Sequence, residues 1–216
     1  MNRARPSPVE AVLYDWDGTL LDSAETSFRC YGRLFAPYGI DFDRATFART
    51  YAPDWYRTYE AVGLPREHWE RADAEWLVAY SGEAPRLLAG AREALDALAA
   101  AGLRQALVTS GNRTRVERDV SELGLCALFR TVVCKEDVTR RKPDPEGLHL
   151  GLARLGCAPE AAVYVGDSPQ DVAMARSGGV YAIAIPGGFP NREALAAAGA
   201  DVTLAGIADL PGHLLG

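Results

Sequence analysis

The stretch Ala11-Val12-Leu13-Tyr14-Asp15-Trp16-Asp17-Gly18-Thr19 decides how the rest of the chain is read. Its first four residues are a short, unbroken apolar run, and the next five carry two carboxylates and a glycine. Such a run predicts a strand covered on both faces. Working outward, similar runs rich in β-branched or aromatic residues recur at 105–109, 131–134, 162–165 and 181–185. Between them lie segments with helical character at 89–101, 112–123, 145–155, 169–177 and 191–198. Gly102, Gly124, Gly156 and Gly178 sit near the ends of the first four, where a left-handed cap is favoured. Strands alternating with helices predict an α/β fold built on a doubly wound parallel sheet.

The segment from about 22 to 85 breaks this rhythm. It shows no strand, holds Trp55, Trp69 and Trp76, and reads as helices near 24–37, 43–50, 54–61 and 66–80. The expected organisation is therefore an α/β core from 1–20 and 86–216, with a helical domain at 21–85 inserted after the first strand.

Composition narrows the function. The chain has 216 residues, 48% of them apolar and 24% charged, as expected of a folded globular protein. A net charge of -6 argues against nucleic acid or an anionic membrane as partner, because both reward basic patches. No apolar run approaches the roughly 20 residues of a bilayer span. The arginines near the start precede no apolar stretch of the kind a secretory signal needs. Cys30, Cys126, Cys134 and Cys157 are scattered without a Cys-x-x-Cys pair, so reduced thiols and a cytoplasmic location are expected. Among 23 basic side chains only Lys135 and Lys142 are lysines, which hints at a role arginine cannot fill.

The residues after each strand carry chemistry. Asp15-Trp16-Asp17-Gly18-Thr19 follows the first, Thr109-Ser110-Gly111-Asn112 ends the second, Lys142-Pro143-Asp144-Pro145 comes after the third, and Gly166-Asp167-Ser168-Pro169-Gln170-Asp171 follows the fourth. Ligands of open parallel sheets bind at the carboxyl ends of the strands. Four separate segments would thus bring carboxylates, a hydroxyl and an ammonium to one edge. Asp15 and Asp17, two apart on an extended strand end, would emerge on one side and repel unless a cation intervenes. A hard oxygen-seeking ion such as Mg²⁺ would resolve this, with Asp167 supplying a further oxygen. Alone, Asp-x-Asp-Gly is as readily a turn; beside the other three segments the chemical reading dominates.

DWDGTLLDS, LVTSG, KPDPE and VGDSPQD, in this order, resemble the four motifs of the haloacid dehalogenase superfamily of phosphatases. The resemblance covers nearly the whole chain, with the helical insert placed like that family's small α-helical cap. It implies that Asp15 attacks phosphorus to form an aspartyl-phosphate, and that Asp17 protonates the leaving alkoxide and then activates water. It implies further that Thr109 hydrogen-bonds a phosphoryl oxygen and that Lys142 neutralises charge. Mg²⁺ would be held by the Asp15 carboxylate, the Asp17 backbone carbonyl and Asp167, with Asp171 as anchor. Asp171 is equally placed as an acidic first-turn helix residue. Asn112 reads better as a helix cap than as a ligand, while Ser110 and Gly111 offer backbone N–H groups to phosphate. Trp16 departs from the smaller apolar residue usual in the family and reads as packing.

Asp17 argues against the metal-free dehalogenases, and the absence of lysine from the insert argues against phosphonoacetaldehyde hydrolysis through a Schiff base. The expected substrate is a small phosphorylated metabolite such as phosphoglycolate or a sugar phosphate, with Trp55 and Tyr56 as contacts from the insert. A sugar phosphate mutase using the same chemistry is the alternative within the family. A non-catalytic receiver-like phospho-acceptor is the alternative outside it. Monomer or homodimer is left open by the sequence.

Overall fold

The computed structural model describes residues 4–216; the first three, and with them the very start of the expected 1–20 segment, lie outside the described residues. Six strands form one parallel sheet: β1 (Ala11–Tyr14), β2 (Arg104–Val108), β3 (Thr131–Val133), β4 (Ala162–Gly166), β5 (Tyr181–Ala184) and β6 (Val202–Thr203). Their order is β3-β2-β1-β4-β5-β6, so the sheet is wound outward in both directions from β1 and β4. The five expected strands are present, with ends shifted by at most a residue or so. The sixth was not expected, because two residues carry no periodic signal.

Side chains alternate across this sheet with the period of two that an extended chain imposes. Val12 and Tyr14, Val163 and Val165, and Tyr181 and Ile183 face one apolar cluster. It is closed by helices α5 (Ala91–Ala100), α6 (Arg113–Glu122) and α10 (Leu210–Leu215). Ala11 and Leu13, Ala162 and Tyr164, and Ala182 and Ala184 face a second cluster. That one is closed by α7 (Glu146–Leu155), α8 (Pro169–Ser177) and α9 (Arg192–Ala197). Each fully buried Leu or Val contributes about 1.5–3 kcal/mol, so a sheet covered on both faces explains the continuous apolar runs. α10 was not expected, since Pro211 and Gly212 lower helix propensity. It forms because Pro is tolerated in the first turn and Leu210 and Leu214 are buried against the core.

Between β1 and α5 the chain is helical: α1 (Ala24–Phe35), α2 (Arg44–Thr50), α3 (Trp55–Ala61) and α4 (Trp69–Ser81). Asp43 and Asp54 cap α2 and α3 by accepting from Thr46 and Tyr56 N–H groups. This insert has its own apolar centre around Tyr31, Phe35, Phe42, Phe47 and Tyr59. The chain enters and leaves it beside itself, through isolated bridges that pair Leu21 with Asp17 and with Leu87. Gly102, Gly124 and Gly156 adopt the expected left-handed conformation. Gly178 does not: its φ is -81°, and Gly179, at φ 76°, makes the turn one residue later.

Candidate active site

The sheet sets the first side chains of the site. Hydrogen bonding runs one residue beyond the strands: Asp15 N–H donates to Val165 O and Thr109 N–H to Val133 O, both at 2.9 Å. The chain then reverses after Asp15. Trp16 C=O accepts from the N–H groups of Leu20 (3.0 Å) and Leu21 (2.9 Å), and Gly18 takes φ 77°. The Trp16 ring lies fully buried in the first apolar cluster, as expected of packing.

Lys142 enters from the loop after β3. Its ammonium donates to Asp15 Oδ1 at 2.6 Å, Tyr164 Oη at 2.7 Å and Asp171 Oδ1 at 2.8 Å. Tyr164 Oη donates in turn to Val108 O at 2.9 Å. Asp171 is held by its helix: its Oδ2 accepts from Ser168 N–H (3.1 Å) and Oγ–H (2.6 Å), a capping box at the start of α8. Asp171 is thus a first-turn helix residue that caps α8, and its other oxygen accepts from Lys142. Oxygens of Asp15, Asp167 and Asp171 lie within 4.8 Å of one another.

Charge at this edge is unbalanced. Asp15, Asp17, Asp167 and Asp171 face two cations, Lys142 and Arg115. Burial raises the Asp15 carboxyl to about 7 against the opposing pull of the Lys142 ammonium, with Asp171 adding to the rise. Burial also raises Asp167 well above the ordinary carboxylate range, and the charges of Asp15 and Asp171 add to the effect. Burial works against the Lys142 ammonium, yet Asp15 and Asp171 hold it up at about 12. Asp167 Oδ2 is buried with no hydrogen-bond partner among the described residues. An orphaned carboxylate oxygen in an acid-rich, oxygen-only cluster fits a hard divalent cation.

Thr109 Oγ accepts from Gly111 N–H at 3.0 Å, and Thr109, Ser110 and Gly111 line one cleft with Asp15 and Lys142. Asn112 caps α6 by accepting from Arg115 N–H, as its position suggested. The cleft, about 860 Å³ with its open mouth, runs between the strand ends and the insert. Trp55 lines it, its indole flanked by Lys135 and Arg141 at 4.7 Å each and donating to Asp73 Oδ1 at 2.7 Å. Tyr56 is a correction. Its ring stacks on Trp69 at 5.1 Å, its hydroxyl donates to Asp73, and it is not among the residues lining the cleft. One helical step from Trp55, its half-buried ring lies between Trp69 and the Arg141 guanidinium, 5.1 Å from each.

Sequence reading missed Asp73, Phe189 and Arg115. Phe189 stacks on Tyr51 of the insert at 4.4 Å and 12°. Arg115 donates to both oxygens of Asp17, to Oδ1 from Nη1 at 2.9 Å and to Oδ2 from Nη2. The Asp17 carboxylate thus faces α6, and Asp17 is not part of the three-carboxylate cluster. One arginine among many gave no signal, and 98 positions separate the partners.

Fold and site together define a doubly wound α/β enzyme with an acid-rich centre at its carboxyl edge. The sequence model for haloacid dehalogenase-like hydrolases matches residues 12–185, and the chain belongs to that family. It is 31% identical to pyrophosphatase PpaX of Bacillus velezensis, over 94% of each chain. It is 30% identical to phosphoglycolate phosphatase of Yersinia pseudotuberculosis, over 94% of this chain and 91% of that one. Among solved structures, CbbY of Rhodobacter sphaeroides in complex with phosphate superposes with a TM-score of 0.76 at 27% identity. The superposition covers 94% of this chain and 96% of that one. No helix among the described residues is long and apolar enough to cross a membrane.

Proposed function

We propose that the chain is a phosphoric monoester hydrolase that transfers the phosphoryl group of a small phosphorylated metabolite to Asp15 and then to water. The observation that carries this reading is the Lys142 ammonium, 2.6 Å from Asp15 Oδ1 inside a buried carboxylate cluster. A buried carboxylate beside one ammonium is a nucleophile with its charge partly balanced, and phosphoryl transfer asks mainly for positioning and charge stabilisation.

Asp15 Oδ attacks phosphorus while the bond from phosphorus to the ester oxygen breaks. Asp17 gives its carboxyl proton to that oxygen, which leaves as an alcohol. The Asp17 carboxylate then takes a proton from water, whose oxygen attacks phosphorus and releases Asp15 and phosphate. Lys142 stays between Asp15 and Asp171 and offsets charge on the phosphoryl oxygens. The Thr109 hydroxyl and the Ser110 N–H receive those oxygens, since the N–H groups of Gly111, Arg113 and Arg115 already donate to Thr109, Glu136 and Asn112. Mg²⁺ would be held by Asp15, Asp167 and the Asp17 backbone carbonyl, with Asp171 behind Lys142, and when bound would supply Lewis-acid neutralisation of phosphoryl charge. The relatives named above support the phosphate chemistry, and the four free cysteines agree with a cytoplasmic setting.

Turnover of 4-nitrophenyl phosphate and of a panel of alkyl phosphates, with Mg²⁺ or with a chelator, tests the reading. Wild type should turn over with the ion and stop with the chelator, and Asp15→Asn should lose roughly a thousandfold or more. Undiminished turnover by Asp15→Asn would refute it.

A further inference from the structure

We propose that Arg115 is the positioning residue for Asp17, holding the acid–base carboxylate where it exchanges its proton with the leaving group and with water. The inference rests on the phosphatase reading and deepens it. Arg115 is 6% exposed, and both terminal nitrogens of its guanidinium meet the two Asp17 oxygens. A planar fork on a carboxylate fixes the rotation of that carboxylate, which a point charge does not.

The guanidinium is itself held. Asp119, fully buried one helical turn later, lies 3.6 Å from Arg115 Nη1 and is also bound by Arg118 at 2.7 Å. From the insert, α4 lays Tyr80 and Trp76 against the group, with ring centroids 4.9 and 5.8 Å from its central carbon. The Tyr80 hydroxyl donates to Asp119 Oδ2 at 3.3 Å. Gly111 makes room on the remaining side, since a Cβ there would stand 2.6 Å from Arg115 Nη2. Burial opposes the charge on Arg115, but Asp17, Tyr80 and Asp119 together raise it and keep the group a cation. A cation so enclosed has little freedom to leave its partner.

The chemistry sets the consequence. When the ester bond to phosphorus breaks and the bond to Asp15 forms, the Asp17 proton moves to the ester oxygen. The carboxylate left behind is the species Arg115 grips. That same carboxylate later accepts the water proton, which restores the acid for the next cycle. A leaving group that departs as a stable anion needs no proton, whereas an alkoxide does. Loss of orientation at Asp17 therefore acts selectively on poor leaving groups.

The test compares kcat/KM, which reports steps up to departure of the leaving group, for 4-nitrophenyl phosphate and for the best alkyl phosphate of the panel. Arg115→Met should lower the alkyl value on the order of a hundredfold and the nitrophenyl value by less than roughly threefold. Arg115→Lys, a cation without the fork, should lie between wild type and Arg115→Met on the alkyl substrate. Asp119 keeps Arg118 in either variant, and circular dichroism with a thermal melt checks the fold. Should Arg115→Met unfold, the lysine variant carries the test through the same ratio of losses. Equal losses on both substrates, or none, overturn the role of Arg115 while the phosphatase reading stands. A wild type inactive on every substrate overturns both.

Discussion

Lys142 places one ammonium against three oxygen atoms, from Asp15, Tyr164 and Asp171, all within 2.8 Å. Arginine could not repeat this. Its donors are spread over a flat fork too wide for acceptors converging on one point. The scarcity of lysine in an arginine-rich chain was the sequence hint, and geometry supplies the reason. Lys142→Arg should keep the fold and lower kcat/KM on the order of a thousandfold, read from steady-state turnover beside a melting curve. A variant retaining near-normal activity would show that any cation suffices there. The same reasoning separates Lys142 from Lys135, whose ammonium lies over the Trp55 ring at the cleft.

At the scale of elements, the loops after β1 and β5 meet over Asp167. A Cβ on Gly187 would stand 2.1 Å from Gly18 O and 2.4 Å from Asp167 Oδ2, while Gly187 itself has an ordinary backbone. Gly187→Ala must therefore push the loops apart at the carboxylate expected to hold the ion. Activity should fall at least roughly tenfold and be partly restored by raising Mg²⁺, measured as kcat/KM across an ion titration. Unchanged ion dependence would detach this contact from the metal. Gly18 was visible in the sequence as a turn former, but its close approach to Gly187 was not. Element types were legible because each apolar run and helical segment is a local pattern. Tyr56 was misplaced for the converse reason: adjacent aromatics look alike in sequence, and only the folded insert separates Trp55, which lines the cleft, from Tyr56, which stacks on Trp69.

At the scale of the molecule, four carboxylates and two cations meet at one edge of the sheet, leaving an excess of negative charge that a divalent ion would offset. The sign of its pH dependence follows from Asp15, raised to about 7, and Asp167, which burial also raises well above the ordinary carboxylate range. With folded values above unfolded ones, the folded state holds extra protons. Their contribution to stability is full in acid and is lost as pH rises from the ordinary carboxylate range through about 7. Mg²⁺ competes with those protons. Its stabilising rise in Tm should thus be small at about pH 5 and grow toward about pH 8, with affinity changing up to roughly tenfold per pH unit for each proton displaced. A rise in Tm that is flat or larger in acid would contradict this charge arrangement.

The sequence by itself determined the parallel α/β core and the helical run between its first two strands, and it marked Asp15, Asp17, Thr109, Lys142 and Asp167 as candidates. Those depend on local periodicity and on what stands at the end of each strand, and strand ends of such a sheet share an edge by construction. Only the tertiary structure decided that Arg115 grips Asp17, that Asp171 orients Lys142 as well as capping α8, and that Phe189 meets Tyr51. Pairings of this kind, most of them between distant segments, are selected by shape and burial after the chain has folded. Among many arginines and aromatics, no single one is marked in advance.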